Sequence, residues 1–296
     1  MTDLGPHGDP ESHPDGAVDC HVHSSPDLVS RYESDVQLAH EAQRADMRGV
    51  VVKSHVVPTA GRVDLVNEAV GEEVLYGGVA LNGSVGGLNP DAAETALELG
   101  GRVVWLPTAW SANHAGQARA AGTERFVGQR VPGPDEELSV LNDDGQLTDA
   151  TREIVDLVAA HNAVLGTGHI RPAAIEAVVD ACADAGVDVM VNHPCFRVVD
   201  LSIDQMASLA RRGAVMEFCA YSIQSTDGHS VERVAEAVDQ LGPDNCLLAT
   251  DFGQAENPPV PGLAAFADAL VEAGLDRETV NRTMTETPTE LLGLSE

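Results

Sequence analysis

The sequence predicts an α/β protein, a closed (β/α)8 TIM barrel with a long loop insertion after the fourth strand. Two observations carry that prediction. Eight short runs rich in Val, Leu and Ala alternate with helix-like segments along most of the chain. The runs are continuously apolar rather than alternating, as parallel strands covered on both faces are. The 296 residues fit one barrel, typically about 250 residues, plus a tail and one insertion. A doubly wound open sheet is the competing architecture, but it does not normally need eight such units.

The expected strands are 17–22 (AVDCHV), 49–55 (GVVVKSH), 74–81 (VLYGGVAL), 102–107 (RVVWLP), 163–169 (AVLGTGH), 187–193 (VDVMVNH), 214–221 (AVMEFCAY) and 246–251 (CLLATD). Amphipathic segments between them predict helices over 35–47, 60–70, 90–99, 148–161, 172–185, 202–212, 229–241 and 262–273. Asp35, Asn89-Pro90 and Thr148 supply helix-opening chemistry. A last helical piece, 276–293, follows the barrel. Residues 1–16, polar and rich in Pro and Gly, predict a disordered tail ahead of a single domain spanning 17–296.

The stretch 109–147 is the insertion. It carries Arg119, Arg125 and Arg130, the cluster VPGPDEE, and an expected hairpin turned at Asp144-Gly145. A loop this long on the C-terminal face of a barrel predicts a lid or binding loop.

Charge narrows the function. Lys+Arg 17 against Asp+Glu 47 gives a formal net charge of −30, and Lys53 is the only lysine. Such a surface repels phosphate backbones and anionic membranes, which argues against nucleic-acid and membrane partners. No apolar run reaches the roughly eighteen residues a bilayer span needs. Hydrophobic residues at 43% are enough for a core, and aromatics at 3% require that core to be aliphatic. Self-repulsion at −30 calls for strong screening, so the expected setting is the high-salt cytoplasm of a halophilic cell. Five cysteines without metal spacing fit reduced thiols there.

The histidines concentrate at strand ends. His21 and His23 close the first strand as H-x-H, His55 the second, His169 the fifth and His193 the sixth; Asp251 closes the eighth. Parallel strand ends converge on one rim, and period-two alternation puts both H-x-H imidazoles on one face. Imidazoles with a carboxylate make a site for a divalent metal, best suited to zinc, with manganese, iron or nickel also compatible.

The segments DCHVH, TGH, NHP and TDFG, in this order, resemble the amidohydrolase superfamily. The resemblance spans about residues 17–293, including the closing TPTELLGL; VVVKSH, ALNGSVGGLNP and VWLPT look like an uncharacterised prokaryotic branch of it. It implies a metal-dependent (β/α)8 hydrolase in which His21, His23, His169 and Asp251 hold a first metal. His193 would ligate a second metal or orient the attacking water, and Asp251 would be the general base. One ion or two stays open. The fourth strand, RVVWLPT, offers neither the lysine nor the glutamate that bridges two metals in many such enzymes.

Lys53 lies two residues before His55, so both are expected to face the same way. Lys53 is a candidate carbamate bridge, electrophilic ammonium or general acid, and His55 an extra ligand or substrate contact. Arg171 and Arg197 follow the His169 and His193 stations and are candidate clamps for a substrate carboxylate or phosphate. Asn82, Thr108 and Trp110 fall at rim positions and are candidate pocket residues. Glu217, counted by parity from the histidine stations, is expected to face the helices.

The leading function is a metal-dependent hydrolase acting on a small-molecule amide, lactone, ester or phosphate. Three alternatives remain: a single-metal lyase or decarboxylase, a phosphoesterase of the polymerase-and-histidinol-phosphatase type, and a metal-stabilised binding or sensing barrel. Homo-oligomerisation is left open.

Overall fold

The structure, a computed structural model, describes residues 14–225 and 230–294. Residues 1–13 of the expected tail, and His229, lie outside the described residues.

The strands are β1 (Val18–Val22), β2 (Gly49–Val52), β3 (Leu75–Tyr76), β4 (Gly78–Ala80), β5 (Val103–Trp105), β6 (Arg125–Phe126), β7 (Gln129–Arg130), β8 (Val164–Gly166), β9 (Asp188–Asn192), β10 (Ala214–Cys219) and β11 (Cys246–Ala249). All pair in parallel except the hairpin β6–β7. β3 pairs with β2 and β4 with β5, and only Gly77 separates them, so residues 75–80 form one barrel position. That position joins β1-β2-β3 to the run β4-β5-β8-β9-β10-β11. At the other seam Val22 bridges Phe252 in parallel. There the Asp251 N–H donates to the His21 carbonyl at 2.8 Å, and the His23 N–H to the Phe252 carbonyl at 2.8 Å. The hydrogen-bonded ring thus closes through eight strand positions, the expected (β/α)8 barrel.

The helices are α1 (Asp35–Arg44), α2 (Ala60–Val70), α3 (Pro90–Glu98), α4 (Ala112–Ala120), α5 (Asp149–Ala160), α6 (Pro172–Ala185), α7 (Ile203–Ala210), α8 (Ala220–Ser225), α9 (Val231–Leu241), α10 (Pro259–Glu272), α11 (Arg277–Met284) and α12 (Glu286–Leu291). Asn89-Pro90 and Thr148 open α3 and α5 as expected. The cap of α1 is Ser34, closed by a capping box with Gln37. Asp35, one residue on, instead turns inward to pair with Arg62 at 2.9 Å.

Three elements depart from expectation. The strand expected over 214–221 stops at Cys219 and coils into α8. The closing helical piece divides at Thr285 into α11 and α12, because Pro288 lacks the N–H a continuous helix would need. The insertion is not mere loop: it contains α4, capped by Ser111, and the hairpin β6–β7. The expected turn at Asp144-Gly145 is present, flanked by an antiparallel Leu141–Leu147 bridge.

One apolar layer lies between the strands and the helices, and a second fills the barrel around Trp105, Met190 and Leu247. Trp105 fits because β8 carries Gly166; a Cβ there would meet the indole at 2.4 Å. The buried, aliphatic barrel floor lies beneath the histidines. No helix among the described residues is long and apolar enough to cross a membrane.

Candidate metal centre and active site

The strand ends bring His21, His23 and Asp251 together. His21 Nε2 lies 3.2 Å, and His23 Nε2 3.0 Å, from the same Asp251 oxygen, Oδ1. The seam holds them there. Gly253 takes φ +114°, and any Cβ on it would sit 1.6 Å from the His23 carbonyl oxygen. Asp251 itself takes φ +53°, which turns its side chain out of strand alternation and toward β1. Below it, Asp19 accepts from the His21 N–H at 3.1 Å and from the Thr250 hydroxyl at 2.6 Å, tying the two strand ends. Burial pushes the Asp19 carboxyl up to about 7.

Hydrogen-bond partners fix both imidazole tautomers. His23 Nδ1 lies 2.9 Å from the Lys53 carbonyl oxygen, which can only accept, so Nδ1 carries the proton. His21 Nδ1 faces the Glu217 carboxylate at 3.1 Å and donates to it. With the proton held at Nδ1, each ring in its neutral form has Nε2, the atom on the Asp251 side, as its ligating nitrogen. Burial holds His23 down at about 4, so its ring is neutral at ordinary pH. Burial alone would raise Asp251, but His21, His23 and His193 together hold its carboxyl far below the usual carboxylate range. Three acceptors thus converge within 4.8 Å of one another. Their N, N, O donor set fits a divalent metal.

Lys53 is fully buried, with Nζ 3.1 Å from His21 Nε2 and 5.2 Å from the centre of the Trp105 ring. Burial lowers its pKa, against the opposing pull of Asp251 and Glu217. Its place beside the donor group makes it the one ammonium at the centre. His55 stacks on His23 at 4.9 Å, and its Nδ1 meets the Thr108 hydroxyl at 2.8 Å. It lines the cavity rather than joining the donor group.

His169 and His193 stand beside that group without joining it. Their rings are 4.9 Å apart, and the His193 ring is 6.0 Å from that of His21. His193 Nδ1 is buried with no partner among the described residues, an orphaned nitrogen at the edge of the centre. His169 Nδ1 meets His114 Nδ1 at 2.6 Å, and the two rings stack at 4.8 Å. His114 comes from α4 in the insertion, and sequence reasoning missed it. Burial lowers it to about 4, so the contact joins two neutral rings.

Glu217 corrects the parity argument. It points into the barrel, accepting from Asn192 Nδ2 at 2.8 Å as well as from His21. The expectation failed because His193 takes φ +32° and His169 follows Gly168 at φ +60°. Those stations lie past the regular strand, where alternation no longer holds.

Above the centre opens a cavity of about 430 Å³ lined by His21, His23, His55, His169 and Asp251 together with loop residues. Of the two expected clamps, Arg197 lines it and Arg171 does not; Arg171 caps α6 and borders a neighbouring hollow. Asn82, Thr108 and Trp110 do not line it either. Asn82 is fully buried and spends its amide on the His55 carbonyl and the Thr108 hydroxyl, at 3.0 and 2.7 Å. Thr108 steadies His55, and Trp110 packs over Gly83 and donates to Gln129 at 3.1 Å. Arg31, Phe126, Phe196 and Tyr221, not expected from the sequence, also stand in the cavity wall. Arg31 and Phe196 lie on loops, Phe126 on the two-residue strand β6 and Tyr221 on the short helix α8, all too short for periodicity to carry a signal.

No curated protein matches the sequence significantly. The fold is similar to that of an amidohydrolase from Pseudomonas aeruginosa, at 14% identity and TM-score 0.59, covering 96% of each chain. It is also similar to a probable 2-pyrone-4,6-dicarboxylic acid hydrolase from Acinetobacter baumannii, at 13% identity and TM-score 0.61, covering 94% of this chain and 100% of that one. A probable dipeptidase from Pseudomonas aeruginosa matches at 8% identity and TM-score 0.62, over 94% of each chain. At such identities the likeness is one of fold, and it agrees with the amidohydrolase-type barrel expected from the motifs. A model of a family of unknown function matches residues 16–217, and the chain belongs to that family, DUF6282.

Proposed function

We propose that the protein is a metal-dependent hydrolase of the amidohydrolase type, acting on an amide, lactone, ester or phosphate of a small molecule. The observation that carries this reading is the convergence of two imidazole Nε2 atoms and one carboxylate oxygen at the floor of a cavity. His21, His23 and Asp251 would hold a divalent metal, zinc by preference, with His169 and His193 at its margin. When bound, that metal supplies Lewis acidity and a water whose pKa falls to about 7.

The chain's own groups do the rest. Asp251, kept ionised by its imidazole neighbours and facing the cavity, accepts the proton of the attacking water at its carboxylate. Glu217 and the Lys53 carbonyl hold the His21 and His23 rings in the tautomers that free their Nε2 atoms. Lys53, buried beside His21 Nε2 and outside the cavity lining, is our candidate for a general acid at Nζ or an electrostatic partner of the centre. The inserted hairpin contributes Phe126 and Val127 to the cavity wall. The −30 charge supports work in a high-salt cytoplasm.

The test is turnover of ester, lactone, amide and phosphate panels by protein stripped with a chelator and then reloaded with zinc. Activity should vanish on stripping and return on reloading. Activity that survives complete stripping contradicts the reading.

A further inference from the structure

The charge of the cavity wall runs against that of the whole chain. Acidic residues outnumber basic ones 47 to 17, yet the cavity lining carries two arginines and one carboxylate. That carboxylate is Asp251, already committed to the donor group at the floor. Among the described residues, the other charged side chains of the lining are the two arginines.

The two arginines are held differently. The Arg31 side chain is 3% exposed, and its Nε and Nη2 both donate to Asp27 Oδ2, at 2.8 and 2.7 Å. Asp27 compensates its charge and fixes its plane at the wall. Arg197 is exposed and has no ion-pair partner among the described residues. Both guanidinium groups act on the Tyr221 phenol, opposing the rise that burial and Asp251 impose on it, so the two face a common region. One uncompensated guanidinium beside a compensated one matches a single negative charge. Val29, Phe126, Val127 and Phe196 give the wall an apolar patch, beside the uncharged polar side chains of Ser30, Tyr221, Ser225 and Gln254. The volume of about 430 Å³ is that of a small-molecule site.

We propose that this cavity selects a monoanionic organic acid, its carboxylate bound by Arg197 with Arg31 in support and its compact apolar body against Phe126 and Phe196. This names the substrate class of the site described above and rests on that reading of it. Arginine suits the task because its planar fork matches a carboxylate in two parallel hydrogen bonds. Arg171, which borders another hollow, takes no part.

The experiment is calorimetric binding of benzoate, benzamide and phenyl phosphate at one fixed salt concentration. It is run on zinc-loaded protein, on metal-stripped protein and on the Arg197→Gln and Arg197→Lys variants. Arg197 is exposed, so neither variant threatens folding. The proposal expects benzoate to bind at least tenfold tighter than benzamide, with that preference lost in Arg197→Gln and partly kept in Arg197→Lys. It expects the arginine-dependent preference to persist in metal-stripped protein. Equal binding of benzoate and benzamide overturns it, as does an Arg197→Gln variant that binds benzoate like wild type. Phenyl phosphate binding tenfold tighter than benzoate overturns the assignment to a monoanion. Zinc content measured on the same samples tests the metal reading separately, so failure of one is not mistaken for failure of the other.

Discussion

The Glu217 carboxylate, wholly buried, lies 3.1 Å from His21 Nδ1, on the side of the ring away from Asp251. It makes His21 a better donor at Nε2 by holding the proton at Nδ1 and by placing a negative charge behind the ring. Replacing such a carboxylate typically costs 10–100-fold in metal affinity. Glu217→Gln keeps the shape and the hydrogen-bonding oxygen but removes the charge. The variant should bind zinc about tenfold more weakly in competition with a chelating dye. Wild-type affinity would reduce Glu217 to a packing residue.

Lys53 tests the centre from the opposite side. Arginine at this position keeps a positive charge but loses the compact ammonium and the amine that could form a carbamate. Lys53→Arg should retain zinc while losing about a hundredfold or more in turnover, the scale of one acid–base group. Undiminished activity would return Lys53 to an accident of composition.

Glu33 makes a prediction that does not involve the metal. It is 5% exposed, and neither carboxylate oxygen has a hydrogen-bond partner among the described residues. Burial, reinforced by Glu41, raises its pKa from 4.5 to about 8. The folded state therefore holds this proton more tightly than the unfolded state. Its contribution to stability is complete below pH 4.5 and is lost progressively as pH rises through about 8. Glu33→Gln should match wild type in melting temperature near pH 4.5 and exceed it by several degrees near pH 9. Parallel pH profiles of the two proteins would contradict the assignment.

The formal charge of −30 predicts a salt response. Raising ionic strength from 0.1 M to 1 M shortens the screening length from about 10 Å to about 3 Å, which relieves repulsion among surface carboxylates. The melting temperature should climb steadily with KCl over this range and beyond. A flat or falling profile would remove the halophilic reading.

Much of the fold was legible because parallel strands buried on both faces leave continuous apolar runs, and because Asn89-Pro90 and Thr148 announce helix starts. His21, His23 and Asp251 were legible as well, since strand order alone carries His21 and His23 to the rim where Asp251 meets them. What escaped depends on geometry past the strand ends. The positive φ of His193 and of Gly168 before His169 breaks alternation, and counting parity from those stations put Glu217 on the wrong face. His114 was hidden because α4, ANHAGQARA, lacks apolar periodicity. Its pairing with His169 joins two positions 55 residues apart. Arg31 escaped because its role comes from a loop contact with Asp27, four residues away, rather than from any strand.

The most direct measurement of the central claim is metal content by elemental analysis, on wild type and on a His23→Ala, Asp251→Asn double variant of confirmed fold. The donor group formed by His21, His23 and Asp251 predicts at least one zinc, or another divalent transition metal, retained per wild-type chain through dialysis. It predicts that metal to be lost from the double variant. A correctly folded wild-type protein that retains no metal after reloading, or a double variant that keeps its full complement, would contradict the account.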